Sequence, residues 1–297
     1  MVRRIVALVL VMAVMVGMWS VVGGLFGGDD TSATEPITPS TNTVVNDGVT
    51  PTTLPPTTTT TPPPKEKTVP TAEDPAEVLI LGDSDAGAFG PYLKTLLDQT
   101  GIASTRLEYK TSSGLARPDF FDWPTFLRQI VPEANPDIVV VTFGGNDAQA
   151  LRNVDLSWAV DHNPGEGQDD SDWKAEYGAR VGAAMDYLTE GTRTLVWVGI
   201  PNASDAALTA RLAVQDEVVR AEAAKRADKV VFVDTWARFS GRNGGWAEYV
   251  IDPRDGEGKD VRSDVDGFHL NQNGAEILAL DIAEAVKNDL RDRGAAI

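Results

Sequence analysis

Several polar residues in this 297-residue chain are of the types that nucleophilic catalysis requires. Ser84 lies in Gly82-Asp83-Ser84-Asp85, directly after the apolar run EVLIL, and a helix-like pattern follows it. A serine at this place is either a helix cap, which accepts bonds from free backbone N–H groups, or a nucleophile. A nucleophilic serine needs a base, a group that orients the base, and hydrogen-bond donors for an oxyanion.

The chain has only two histidines that could act as the base. His162 lies in a Gly- and Asp-rich segment without apolar periodicity, which favours a solvated loop residue. His269 lies in DVDGFHLNQNG, and Asp266 precedes it by three positions. Across a tight turn, this spacing lets the carboxylate bond one imidazole nitrogen while the other faces outward. Asp266 and His269 are therefore the predicted orienting acid and base, although Asp-x-x-His also occurs in ordinary turns.

These residues must be positioned by a regular scaffold. From Glu77 onward, short β-rich runs alternate with longer amphipathic segments, which predicts parallel strands covered by helices. The predicted strands are EVLIL, STRLEY, DIVVVTF, TLVWVGI and KVVFVD. We therefore predict an α/β fold, a three-layer α/β/α sandwich around a five-stranded parallel sheet. Ligands bind at the carboxyl ends of such strands, so the loops that hold Ser84, Gly114 and Asn146 should meet at one edge.

The motifs in these loops are similar to those of one known enzyme family. In chain order, the four sequence blocks of the SGNH (GDSL-type) hydrolase family resemble Gly82-Asp83-Ser84, Gly114, Gly144-x-Asn146-Asp147 and Asp266-x-x-His269. The resemblance spans residues 77–291 and implies the flavodoxin-like fold of that family.

The resemblance also implies roles for individual residues. Ser84, His269 and Asp266 would form a catalytic triad that attacks an ester carbonyl. The oxyanion hole would consist of the backbone N–H groups of Ser84 and Gly114 and the side-chain amide of Asn146. We expect no cofactor and no bound metal.

Four further residues carry weaker expectations. The family's first block usually continues with leucine, where this chain has Asp85, and we expect this carboxylate to contact substrate and to disfavour anionic substrates. Asp147 should brace its loop or cap the next helix rather than catalyse. Trp158 and Trp246 lie in polar loops, where exposed rings could stack on the sugar rings of a substrate. The alternative for both tryptophans is that they pin their loops to the domain.

The composition bears on other classes of function. With 44 acidic and 26 basic residues and a formal charge of -18, we expect no nucleic-acid partner, because such binding relies on Lys and Arg. Cysteine is absent, which excludes a disulfide framework and a thiolate nucleophile. A metallophosphoesterase remains an alternative because carboxylates follow several strands, but imidazole-rich two-metal sites need more histidine than this chain has.

The amino-terminal region predicts export. Arg3 and Arg4 precede an uncharged apolar run from Ile5 to Phe26. Its length matches the roughly 20 residues that span a bilayer, and the basic flank predicts that the remainder lies outside the cytoplasm. The alternative is a cleaved signal peptide, with its best cleavage site near Thr31-Ser32-Ala33, which would release a secreted protein.

The predicted organisation has three parts. Residues 1–26 form a transmembrane signal-anchor, residues 27–76 a Thr/Pro-rich disordered linker, and residues 77–297 the hydrolase domain. Together with the strand sequence LVWVGIPN, this arrangement resembles an exported bacterial branch whose relatives handle O-acetyl groups on cell-wall and surface polysaccharides.

We therefore predict a membrane-anchored, extracytoplasmic serine esterase that acts on short acyl groups, acetyl foremost, of cell-envelope carbohydrate. Transfer of the acyl group to a sugar hydroxyl instead of water would make the same site an acyltransferase. A membrane acyltransferase partner would then have to supply acyl groups, because one spanning segment cannot carry them across the bilayer. The alternative function is a non-catalytic carbohydrate-binding or assembly module on the same scaffold.

Overall fold

The computed structural model describes residues 66–297, which fold around a central parallel sheet. The strands are β1 (Ala76–Gly82), β2 (Ala103–Tyr109), β3 (Ile138–Thr142), β4 (Leu151–Arg152), β5 (Trp158–Val160), β6 (Thr194–Val198), β7 (Val230–Val233), β8 (Tyr249–Ile251) and β9 (Gly258–Asp260). The helices are α1 (Ser84–Asp98), α2 (Trp123–Ala134), α3 (Ser171–Leu188), α4 (Ala206–Ala224), α5 (Thr235–Arg238) and α6 (Gln272–Asp292).

Five strands form the central sheet in the order β2-β1-β3-β6-β7, and every neighbouring pair is parallel. Successive strand residues point to opposite faces, so Val78 and Ile80 pack under α1 and α6, while Leu79 and Leu81 pack under α2, α3 and α4. The inner strands β1, β3 and β6 are almost wholly apolar because helices cover both of their faces, whereas the edge strand β2 (ASTRLEY) is more polar and partly exposed. The predicted three-layer sandwich and its five parallel strands are confirmed.

The topology creates a crevice beside β1. The helix after β1 covers one face of the sheet, whereas the helix after its neighbour β3 covers the other. Loops that diverge in this way leave a gap at the carboxyl ends of the two strands, where ligands bind in open α/β sheets. The segments after β1 and β3 begin at Asp83 and Phe143, so two of the predicted motifs flank this gap.

Three small elements were not predicted from the sequence. The pairs β4–β5 and β8–β9 are antiparallel hairpins, and α5 is a single turn of helix. Their segments are only two to four residues long. Runs this short carry no usable hydrophobic period, so only tertiary contacts define them.

The chain enters the domain at the amino-terminal edge of the sheet. Residues 66–75 contain no helix or strand and lie near the end of α6, where Lys67 Nζ is 4.0 Å from Asp289 and Val69 lies against Gly294. The predicted anchor over residues 1–26 and the linker up to residue 65 lie outside the described residues. In residues 66–297, no helix is both long and apolar enough to cross a membrane.

Candidate active site

Ser84 is the first residue of α1, but it does not cap that helix. The cap is Asp83, whose Oδ1 accepts a hydrogen bond of 3.0 Å from the backbone N–H of Asp85. The hydroxyl of Ser84 is thus available, and its Oγ lies 3.0 Å from Nε2 of His269. The structure therefore brings the candidate nucleophile and base together across 185 positions of sequence.

Asp266 orients the imidazole of His269. Its Oδ2 lies 2.6 Å from Nδ1 of His269, and its Oδ1 accepts the backbone N–H groups of Phe268 and His269, each at 3.0 Å. Partial burial acts to raise the pKa of Asp266, but these hydrogen bonds outweigh it and leave the pKa below its usual value. An ionised carboxylate only accepts, so the ring proton stays on Nδ1 and Nε2 can accept from the Ser84 hydroxyl.

The turn that carries Asp266 and His269 is fastened at Gly267. The carbonyl oxygen of Gly267 accepts the backbone N–H of Ser204 at 3.1 Å and the indole N–H of Trp246 at 2.8 Å. Gly267 has a φ of 64°, and a Cβ there would lie 2.1 Å from Oγ of Ser204. Only glycine fits this left-handed position, so the turn is held in a single arrangement.

The three predicted oxyanion donors lie in the loops after β1, β2 and β3. These donors are the backbone N–H groups of Ser84 and Gly114 and the side-chain amide of Asn146. None of them has an acceptor within residues 66–297. Ser84 heads a helix, where the first N–H groups have no intrahelical acceptor. The donors are therefore free to bind an anionic oxygen.

Asp147 braces the loop that carries Gly114. Its Oδ1 accepts the N–H of Ala116 at 2.8 Å, and its Oδ2 accepts the N–H of Leu115 and the hydroxyl of Tyr177, both at 2.9 Å. Burial raises its pKa to about 6, although these hydrogen bonds oppose the shift. The expectation that Asp147 braces a loop holds, but the loop is the one after β2 and not its own.

Asp83 ties the start of α1 to the loop after β3. Besides capping the helix, it accepts the backbone N–H of Gly144 through Oδ2 at 2.8 Å. It is fully buried, and burial together with the nearby charge of Asp85 holds its pKa well above the usual range. The carboxyl group of Asp83 thus joins the start of α1 to the loop after β3, and it is too deeply buried to contact substrate.

Asp85 points into the domain. Its side chain is 9% exposed and lines an internal cavity of about 10 Å³ together with Thr142 and Thr235. The hydroxyls of both threonines lack partners in the described part of the chain, and a space of this size is close to that of one water molecule. This burial argues against the substrate contact expected for Asp85.

The two tryptophans and the second histidine occupy different surroundings. Trp246 is pinned by its bond to Gly267, whereas Trp158 is 49% exposed, with the guanidinium of Arg152 stacked 3.6 Å from its ring centre. His162 bonds Asn163 and also Asp172 in the first turn of α3, and not Ser84. Of the two predicted sugar-stacking residues, Trp158 is the more exposed, with one face of its ring covered by Arg152, and Trp246 is partly buried.

Sequence reasoning missed Tyr109, the last residue of β2. Its ring is 52% exposed and packs on Gly87, where a Cβ would lie 2.7 Å from the ring. Gly87 follows Ser84 by three residues and so shares its face of α1. The position at a strand end was the available signal, because side chains there border the ligand crevice.

Metal ligation was one of the alternatives raised by the sequence. Within residues 66–297, no group of three or more His, Cys, Asp or Glu side chains is arranged to hold a metal ion. Asp83 and Asp147 instead direct their oxygens to N–H and O–H donors of the protein.

Solved structures share this fold. A catalytic mutant of an acetylxylan esterase from Geobacillus stearothermophilus matches with a TM-score of 0.50 and 15% identity, over 71% of this chain and 94% of that chain. A GDSL-like lipase from Bacteroides thetaiotaomicron matches with a TM-score of 0.46 and 16% identity, over 74% of this chain and 92% of that chain. No curated protein matches the sequence. The model of the family described as "Protein of unknown function (DUF459)" matches residues 77–285, and the chain therefore belongs to this family.

Proposed function

We propose that this protein is a serine esterase whose nucleophile is Ser84. The observation that carries the proposal is the unbroken contact from Ser84 Oγ to His269 Nε2 and from His269 Nδ1 to Asp266. A serine hydroxyl is a weak nucleophile unless a base accepts its proton, and the base must be held in the correct tautomer. The contact between His269 and Ser84 supports the first condition, and the contact between His269 and Asp266 supports the second.

The proposed reaction has two halves. Ser84 Oγ attacks the ester carbonyl carbon while its proton passes to His269 Nε2, and the carbonyl oxygen becomes an oxyanion. The free donors of Ser84, Gly114 and Asn146 stabilise that oxyanion. His269 then protonates the leaving alcohol as the acyl-enzyme forms. Water gives a proton to His269, attacks the acyl carbon and releases the carboxylic acid, after which the proton returns to Ser84.

We propose short acyl esters of carbohydrate, acetyl foremost, as the substrate. The exposed ring of Tyr109 beside the Ser84 face of α1 supports this choice, because an open aromatic face can stack on a sugar ring. A protein of the same fold is described as an acetylxylan esterase, so the fold is compatible with such a substrate. A sugar hydroxyl that replaced water in the second half-reaction would give acyl transfer, which product analysis with labelled acyl donor would detect.

The proposed location is the outer face of the cell membrane. The support comes from the apolar run over Ile5 to Phe26 and the arginines before it. Fractionation of cells, with protease added to intact spheroplasts, tests the location. Cleavage of the domain only after membrane disruption would contradict it.

A fluorophosphonate probe tests the nucleophile directly. The purified protein is treated with the probe, and intact mass and peptide mapping locate the adduct. We expect one adduct on Ser84, none in Ser84→Ala, and a greatly slowed reaction in His269→Ala. His162→Ala is the matched control and should label like the parent. A folded parent protein that takes no adduct would favour the carbohydrate-binding module instead.

A further inference from the structure

Arg262 is a buried guanidinium at the centre of the loops that carry the proposed base. Its side chain is 2% exposed and donates five hydrogen bonds of 2.8 to 3.1 Å. The acceptors are the backbone oxygens of Asn202, Phe239, Ala247 and Phe268 and the side-chain oxygen of Asn202. The five N–H donors of a guanidinium are fixed on one planar group, so they can bind acceptors from several segments at once. The single ammonium group of lysine could not replace them.

The acceptors belong to segments that have no common strand or helix. Asn202 follows β6 and ends the LVWVGIPN motif, Phe239 ends α5, and Phe268 directly precedes His269. The backbone of Arg262 itself pairs with Leu270, on the other side of His269. Arg262 thus holds the residues on both sides of the base, one through its side chain and one through its main chain.

The guanidinium of Arg262 has no carboxylate partner in the described residues. All five of its acceptors are neutral, and no carboxylate in residues 66–297 lies within ion-pair distance of it. Burial lowers its pKa to about 10, and the negative charge of Asp85 opposes that change. The guanidinium is therefore held by hydrogen bonds to neutral oxygens.

We propose that Arg262 is a positioning residue that fixes His269 against Ser84. This inference rests on the proposed esterase function. It also assigns a role to a feature with no place in the triad, the Asn202 that ends the IPN motif.

The experiment uses the full-length protein in detergent. kcat and KM for a small ester and the rate of fluorophosphonate labelling of Ser84 are measured on the same samples. Arg262→Lys keeps the charge but loses the planar fork, so it should lower kcat and the labelling rate about 10- to 100-fold with little change in KM.

Arg293→Lys is the matched control. Arg293 is also buried and planar, but it bonds Asp289 and the carbonyl of Asp137 at the opposite edge of the sheet. It should lower thermal stability without changing kcat. Parental kcat and labelling rate in a folded Arg262→Lys would overturn the proposal. Asn202→Ala removes one acceptor of the guanidinium and keeps the test available if Arg262→Lys fails to fold; it should lower kcat by a smaller factor at nearly constant KM. A folded parent protein without labelling or esterase activity would count against the esterase, whereas a labelled parent with unchanged variants would count against the positioning role alone.

Discussion

A Cβ atom on Gly114 would lie 2.0 Å from Oδ1 of Asp147. The glycine is therefore required by a carboxylate of the protein itself, which bonds the two N–H groups that follow it. From the sequence, Gly114 was understood only as an oxyanion donor. The structure adds that its loop and the loop after β3 are fitted to each other without room for a side chain.

Gly114→Ala should separate these two loops. A contact of 2.0 Å cannot persist, so Asp147 or the loop must move and the Gly114 N–H leaves its place. We expect kcat to fall about 10²-fold or more, as for loss of one oxyanion donor, and unfolding free energy to fall by about 1–3 kcal/mol. Esterase kinetics and urea unfolding measure both. Gly258→Ala, where a Cβ meets open space, is the control and should change neither kcat nor stability.

Asp147 should make stability depend on pH. Its pKa is about 6 in the folded protein and about 3.9 when unfolded, so the folded state holds the proton more tightly. The stabilisation is complete below pH 4 and is lost as pH rises through 6, a change of about 3 kcal/mol. Asp147→Asn cannot titrate. Urea unfolding of both proteins at several pH values should therefore give a stability difference that is larger at pH 4 than at pH 7, and parallel curves would refute the assignment.

Asn146 should act in the transition state and not in substrate binding. Its amide has no partner in the described residues, so Asn146→Ala removes a donor without breaking an internal hydrogen bond. We expect kcat to fall about 10²–10³-fold at nearly constant KM. Fluorophosphonate labelling of Ser84 should continue at a reduced rate. The control is Asn153→Ala, in the exposed β4–β5 hairpin, and equal losses in the two variants would contradict the role of Asn146.

Tyr109 should distinguish sugar esters from simple esters. Tyr109→Ala removes the exposed ring beside Ser84, so we expect KM for acetylated oligosaccharides to rise about tenfold, while p-nitrophenyl acetate is hydrolysed as before. Tyr109→Phe keeps the ring and should behave like the parent. Trp158→Ala tests the other open ring: a larger KM effect there than at Tyr109 would place the sugar along the β4–β5 hairpin.

The sequence predicted the scaffold well because long, strongly apolar runs define it. Runs such as DIVVVTF are buried on both faces, and their alternation with amphipathic segments leaves few topologies. The loops that hold Ser84, Gly114 and Asn146 also follow three neighbouring strands, as predicted, because parallel topology brings the ends of those strands to one edge.

Long-range polar contacts could not be predicted in the same way. Nothing in the sequence near Arg262 indicates that its guanidinium gathers carbonyls from four separate segments, because such bonds depend on tertiary placement. Asp85 illustrates the same limit: its place beside Ser84 in the sequence suggested contact with substrate, whereas the first turn of α1 directs it inward. Whether a charged residue on a helix is buried depends on whether its face of the helix packs against the core, and tertiary structure decides this.

The chain enters the domain beside the end of α6, on the side opposite to Ser84. Lys67 and Val69 lie at the edge where the strands begin, whereas Ser84 follows the opposite end of β1. A seven-residue strand is about 20 Å long, so whatever precedes residue 66 joins the domain at least that far from the nucleophile. Under the proposed membrane anchoring, the point of attachment would thus lie on the far side of the domain from the proposed site, and the mouth of that site would stay uncovered by it.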